Sequence, residues 1–483
     1  MSDQQHYHWA FLERVAPLAI SFAVSVIMAR MVSPEAYGLV AMLGIFMALG
    51  QNFTELGLST ALVQRKDITS DDQTSVFVIN VFAGVLVAAT LCAASPLVAR
   101  FFHQKILVPL LCIQSITVFI GSTGLVQFAR LSRDMNFRLG SMISLVATIF
   151  SSIVGITMAA LGFGVWSLVG LGLSSEIAKA VAAWFVVGWR PRGRFSMPRV
   201  AALWQYSGKL LYFSLLTHAG SNLNSVIIGR IFAPAALGIY TRARGLQLQP
   251  VDIVTGIAER VAFPLFAKHQ DDRLFLLLSI RKQIRVLVLV ASLMMALLAV
   301  LAAELIPLLY GPQWRGVVPI FLILCIGAVF GAALSLHSRM TMALGKSGIL
   351  FQVELLKKFV TVIVLAVVYR YGLIGFAWGA VASSFTDYFL SAFPSRKMLG
   401  YSWRMQFVDL VPALLIGGLP ALALFNIPWS PSWSVLTLLS TKILTFSVVT
   451  YLGLFVFRKT HFQDAWDMAR TLFVATAARF RWV

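Results

Sequence analysis

The chain alternates long apolar runs with short polar connections for most of its length. Runs of roughly 18 or more apolar residues read as membrane-spanning helices. Fourteen such runs occur, near 15–32, 37–63, 76–99, 106–128, 140–162, 164–188, 206–229, 237–265, 276–303, 316–344, 350–371, 373–393, 408–426 and 434–457. Several exceed the ~20 residues a bilayer needs, so tilted, kinked or protruding helices are expected. Spans 2 and 8 are the least apolar. The first run is long for the core of a cleavable signal, and no small-x-small site follows it, so it reads as a retained helix. Beyond His461, Phe462, Trp466, Ala469, Phe473 and Phe480 recur at near-helical spacing among Arg470 and Arg481, as in an interfacial amphipathic helix. The pattern predicts an all-α polytopic membrane protein of about 14 transmembrane helices.

Composition narrows the choice. Hydrophobic residues make up 59% of the 483 and charged residues 12%, against ~25% charged in soluble domains. A soluble enzyme, a disordered chain and a secreted disulfide scaffold are excluded. The net charge of +20 comes from basic residues spaced between apolar runs, not from a basic module, so no nucleic-acid partner is expected. Such spacing orients spans in a membrane. The even-numbered connections hold most of it, including Arg65 and Lys66, Arg130 and Arg133, Arg190 to Arg199, Lys268 and Arg273, Lys346, and Arg396 to Arg404. Both termini are therefore expected on the cytoplasmic side. Trp189, Trp204, Trp314, Trp403 and Trp429 stand at span edges, as an aromatic belt requires. The cysteines Cys92, Cys112 and Cys325 each lie inside an apolar run with no CxxC spacing, so neither a disulfide nor a zinc site is expected.

An internal repeat organises the spans. Ile27-Met-Ala-Arg-Met-Val-Ser-Pro-Glu-Ala-Tyr-Gly38 recurs as Ile227-Ile-Gly-Arg-Ile-Phe-Ala-Pro-Ala-Ala-Leu-Gly238. Each copy closes an odd-numbered span and opens the next. A second echo relates Trp166 and Glu176 to Trp378 and Asp387. The expected organisation is an N-terminal lobe (1–189, spans 1–6), a basic linker (190–205), a second lobe (206–400, spans 7–12), spans 13 and 14 (401–457) and a cytoplasmic amphipathic tail (458–483). Six spans return the chain to its starting side, so the repeats are parallel, an arrangement that places substrate between two lobes.

Charge inside a membrane marks function by default. In span 8, Thr241, Arg242, Gly245, Gln249, Asp252, Gly256, Glu259 and Arg260 fall within an arc of about 100°, approximate because Pro250 bends the helix. In span 7, Ser214, His218, Ser221, Asn222 and Ser225 form a second stripe. The alternative to a water-filled cavity is interhelical hydrogen bonding in a packed bundle. Elsewhere Glu55 accompanies Gln51 and Asn52, and Glu176 faces Lys179 at i,i+3. Glu354, Lys357 and Lys358 group early in span 11, where the lysines either pair or snorkel. His337 and Arg339 end span 10, where snorkelling is also open. There is no Walker, HExxH or GxSxG motif and no long outward loop, which argues against an enzyme and against ATP-driven transport.

Five segments are familiar: Ser33-Pro-Glu-Ala-Tyr-Gly-Leu39, Glu55-Leu-Gly-Leu-Ser59 running into Gln64-Arg-Lys-Asp67, Gly162-Phe-Gly-Val-Trp166, Gly311-Pro-Gln-Trp314 and Ala343-Leu-Gly-Lys346. Through them the chain resembles the polysaccharide-transporter branch of the multidrug/oligosaccharidyl-lipid/polysaccharide exporter superfamily, with greatest similarity to the colanic-acid and lipopolysaccharide exporters. The resemblance implies two six-helix lobes around a cationic central cavity, plus the two C-terminal helices. It also implies flipping of undecaprenyl-diphosphate-linked oligosaccharide across a bacterial inner membrane, with polysaccharide polymerase and chain-length machinery as neighbours. A pyrophosphate head group suits arginine, which binds it bidentately. Arg242 is the first candidate, with Arg244, Arg260, Gln249, His218, Asn222 and Arg339 beside it. Arg30 and Arg230, matched across the repeat, are either further contacts or interfacial anchors. No cofactor is expected. Asp252, Glu259, Glu55 and Glu176 are the candidates for coupling a proton or sodium ion, and Asp252 and Glu259 are alternatively partners of Arg242 and Arg260. Two rival readings remain at this point: a cation-coupled drug antiporter of the same superfamily, and a membrane glycan polymerase or ligase.

Overall fold

The computed structural model describes residues 19–55, 57–65, 67–429 and 433–456, with backbone alone for 202, 205–219, 221 and 454–456. The expected interfacial tail and the side chain of His218 lie outside this description. Helices account for nearly all of it, and no strand occurs among the described residues.

Each expected span coincides with one helix, or with one helix broken in two. In order these are α1 (Ala19–Met31), α2 and α3 (Pro34–Glu55, Leu58–Gln64), α4 (Ser70–Phe102), α5 and α6 (Leu107–Ser122, Leu125–Arg133), α7 (Phe137–Ala160) and α8 (Val165–Val186). Then follow α9 (Met197–Ile231), α10 (Pro234–Lys268), α11 (Arg273–Tyr310), α12 (Val317–Ala343), α13 (Ser347–Val368), α14 (Gly372–Leu399), α15 (Trp403–Phe425) and α16 (Val435–Val456). Nine stretches among the described residues are long and apolar enough to cross a membrane, ten with the bent α5–α6 pair. The chain is a multi-pass membrane protein. Helices α9 and α10 are not among the nine; α10 carries Arg242, Arg244, Asp252, Glu259 and Arg260 within its length.

Local chemistry sets the helix ends. Thr69 caps α4 in a reciprocal capping box with Asp72, and Asp272, Asn136 and Ser402 cap α11, α7 and α15 through their side chains. Gly400, at φ 77°, ends α14 in a left-handed turn. The two copies of the repeat fold alike: α1 and α9 each end three residues before a proline, and Pro34 and Pro234 open α2 and α10, where a missing N–H costs nothing.

The chain forms two compact units, Met1–Thr241 and Arg242–Val483. In the first, α4 packs on α5, α7 on α8 and α2 on α9. A core of Leu58, Leu62, Val76, Val126, Trp189, Val200 and Leu203 gathers α3, α4, α6 and the start of α9. The connector before α9 is pinned to the first turn of α4. The Gly193 amide donates to Thr74 Oγ1 (3.0 Å), the Arg194 amide to Asp71 Oδ1 (2.8 Å) and the Ser196 amide to Ser75 Oγ (2.9 Å). A Cβ on Gly193 would lie 2.5 Å from the Ser70 carbonyl oxygen, so a side chain there displaces the connector. In the second unit α12 packs on α14, α11 on α12 and α15, and α16 on α15.

The cysteines depart from expectation. Cys92 and Cys112 form a disulfide, with Cα atoms 4.4 Å apart. The short connection between α4 and α5 folds them into a hairpin, and helices that pack side by side bring together positions 20 residues apart. Cys325 is buried and unpaired. Alkylation under denaturing conditions is therefore expected to label one thiol per chain, rising to three after reduction. Three labels without reductant would rule the bridge out.

Candidate functional site

Arg242 stands two turns into α10. Its guanidinium carbon lies 4.1 Å from the ring centroid of Tyr310 and 5.7 Å from that of Trp314. Both rings are buried. Tyr310 ends α11, and Trp314 lies in the short 3-10 turn Pro312–Trp314 that follows. The Gly311-Pro-Gln-Trp314 segment thus builds half of an aromatic platform. Stacking on aromatic faces holds a guanidinium flat while its edge N–H groups remain directional donors.

Farther along α10, Gln249, Asp252 and Arg260 are exposed and Arg244 is half-buried. Glu259 accepts from Arg339 Nε at 3.0 Å and Nη2 at 2.6 Å. Its ion-pair partner is therefore on α12, not the Arg242 or Arg260 weighed from the sequence. His337 on that helix is fully buried, with Nδ1 2.9 Å from Ser395 Oγ, so it does not snorkel. Lys357 is also buried and paired with Glu354, which settles its alternatives in favour of pairing.

In the first unit α2, α5, α6 and α8 enclose a cavity of about 300 Å³ lined by Gln51, Thr54, Glu55, Thr117, Ser122 and Glu176, among others. It brings together two carboxylates that the sequence separates widely. The bend of 40° between α5 and α6 occurs along this wall. Glu176 accepts from Lys179 at 2.8 Å, so Glu55 is the carboxylate in the cavity with no ion pair of its own among the described contacts. Arg30 and Arg230 are exposed, with Arg230 5.4 Å above the Phe101 ring. Asn222 is half-buried.

The sequence reading missed a buried cluster. Asp409 on α15 is fully buried and accepts from Arg281 Nε (2.8 Å), Arg281 Nη2 (3.0 Å), Arg285 Nη1 (3.1 Å) and Tyr401 Oη (2.8 Å). Burial, then the adjacent carboxylate, pushes the Tyr401 phenol far above its usual value, which keeps it a donor. Lys442 on α16 likewise donates to Glu304 on α11 at 2.7 Å. A lone acid in span 13 and a lone lysine in span 14 were the available signals.

A model of the family described as polysaccharide biosynthesis protein matches residues 27–319, more than half of the chain. The chain belongs to that family. It is 23% identical to the lipopolysaccharide biosynthesis protein WzxC of Escherichia coli (strain K12), across 83% of this chain and 82% of that one. It is 25% identical to the succinoglycan biosynthesis transport protein ExoT of Rhizobium meliloti (strain 1021), across 84% and 80%. Among solved structures it superposes on the lipid II flippase MurJ in an inward closed conformation, with a TM-score of 0.74 over 92% of this chain and 98% of that one, at 15% identity. An inward-facing multidrug resistance MATE family transporter of the MOP superfamily follows at 0.62, over 81% and 95%, also at 15% identity. The fold of this family member is thus shared with both transporter types.

Proposed function

We propose that this protein is a flippase, without catalytic activity, that moves undecaprenyl-diphosphate-linked oligosaccharide units across a bacterial inner membrane for surface polysaccharide synthesis. Both termini face the cytoplasm, and a polymerase with its chain-length machinery takes the product. The observation that carries the reading is α10: six charged residues, five of them before its last turn, on one helix of a lipid-embedded bundle, in a chain of the polysaccharide biosynthesis family. Charges of that kind are expensive unless they serve a polar passenger. A pyrophosphate is such a passenger, and Arg242 on its aromatic platform presents the planar donor edge that it needs. An apolar groove of about 640 Å³ between α11, α12 and α15 suits an isoprenoid or acyl chain, as burial of apolar surface requires. The basic α10 disfavours a carrier of cationic drugs.

Deletion of the gene tests the reading. The expected result is single lipid-linked repeat units trapped on the cytoplasmic face, with surface polysaccharide lost. Units that reach the outer face unpolymerised would point to a polymerase or ligase; an unchanged glycan would point to drug transport.

Glu55 and Asp252 are the proposed ion-coupling carboxylates. Glu55→Gln removes the unpaired acid of the 300 Å³ cavity. Transport into proteoliposomes by this variant is expected to lose its response to imposed pH or sodium gradients while insertion stays normal. A retained response would move coupling to Asp252.

A further inference from the structure

Three odd-numbered connections converge at one end of the first unit. A Cβ on Gly38 would overlap the carbonyl oxygen of Pro234, and one on Gly238 that of Pro34, so the ends of α1 and α9, three residues before those prolines, are close neighbours. A Cβ on Gly229 would lie 3.1 Å from the Phe102 ring, which puts the end of α4 against α9. Arg30, Arg230, Arg100 and the following Lys105 therefore share this end, with the Arg230 guanidinium laid over the Phe101 ring at 5.4 Å. All four cations are exposed, and among the described residues the acid beside them is Glu35.

Two features single the cluster out. Connections on the outer side of a membrane tend to lack cations. In the proposed orientation the odd connections and the helix ends that enter them carry six, Arg30, Arg100, Lys105, Arg230, Arg315 and Arg370, and four of the six meet here. Compensation of helix dipoles accounts for Arg30, Arg100 and Arg230 one by one, since each stands in a last helical turn. It accounts neither for their convergence nor for Lys105. The second feature is an apolar rim. Ile27, Met31, Leu97, Phe101, Ile106 and Ile231, each within one turn of a cation, are exposed. A guanidinium held flat on a ring keeps its fork for two phosphate oxygens, and the rim offers acyl chains an apolar surface. A soluble anion or an acidic sugar would use the cations and leave the rim without a role. We infer that this end of the first unit binds one anionic phospholipid of the outer leaflet, its phosphate on Arg230 and the neighbouring cations and its chains on the rim. The inference holds whether or not the chain is a flippase; only the leaflet, and the scarcity of outer cations, rest on the proposed orientation.

The test uses the full chain in detergent, read by native mass spectrometry with dioleoyl phosphatidylglycerol or dioleoyl phosphatidylcholine added. One phosphatidylglycerol is expected to stay bound under conditions that strip phosphatidylcholine. The combined variant Arg100→Gln, Lys105→Gln, Arg230→Gln is expected to bind it about a hundredfold more weakly, at roughly fivefold per cation. Arg315→Gln with Arg370→Gln, which removes the other two outer cations, is expected to bind as the wild type does. Should the triple variant fail to fold, Arg230→Lys, which keeps the charge and loses the stacked plane, is expected to bind several-fold more weakly, and unchanged binding would overturn the site. Equal retention of the two lipids would reduce the cluster to annular contact and overturn it. So would an equal loss in the Arg315, Arg370 variant, which would show general attraction of charge, or displacement of the lipid by inorganic phosphate or an oligogalacturonate, which would give the site to a soluble anion. Labelling of Lys105→Cys by an impermeant maleimide from the inside only would overturn the leaflet.

Discussion

Asp409→Ala is expected to lower stability by about 3 kcal/mol, read as a fall in melting temperature of the detergent-purified protein. The substitution removes a carboxylate that Arg281, Arg285 and Tyr401 share. Breaking a buried ion pair by removing one partner typically costs ~3–5 kcal/mol, because the remaining charge stays without compensation. Here the lower end applies: the arginine side chains retain 22% and 19% exposure, so water and lipid head groups still reach them. The loss falls on the α11–α15 junction, which holds α15 within the second unit. A melting temperature equal to the wild type would show that the cluster is dispensable for packing. Asp409→Asn separates the contributions, since it keeps an acceptor for Tyr401 and discards the charge.

Arg242→Ala is expected to stop export while the protein inserts and folds. The guanidinium lies on two buried rings, and a desolvated cation–π contact contributes ~2 kcal/mol, about thirtyfold in an equilibrium. That sum covers only the positioning of the charge; on the proposed function, loss of a pyrophosphate contact adds to it. Arg242→Lys is the sharper variant. It keeps the charge but loses the plane that stacks and the fork that binds two oxygens, so export is expected to stay low. Normal export by the alanine variant would remove the first turns of α10 from the transport route.

The positions of the helices were largely legible. Apolar runs, Pro34 and Pro234 as helix openers, and the spacing of basic residues each have a local physical cause, and a linear reading captures local causes. Two breaks escaped it. The run 37–63 divides at Gly57, which adopts φ 67°, and the run 106–128 bends after Ser122. Hydropathy reports composition along a stretch, not a single backbone angle. The site was legible by residue type more than by partner. Arg242 and Glu259 stood out on α10, whereas the platform under the first and Arg339 beside the second come from other helices. Glu55 and Glu176, Cys92 and Cys112, and Arg281 and Asp409 meet only because helices pack. No periodicity links positions brought together by tertiary structure.

Surface connections usually absorb change, because few contacts constrain them. The segment between the two copies of the repeat behaves differently. Three consecutive points along it, Gly193, Arg194 and Ser196, give their amides to side chains of α4, and Gly193 has no room for a Cβ. The connector that leads into α9 is thus built into the first unit. For evolution, lengthening this connector is not a free move, and a split or permuted gene cut there would lose the clasp that finishes the first helix bundle. For engineering, it is the wrong place for a tag or a protease site, however exposed its arginines are.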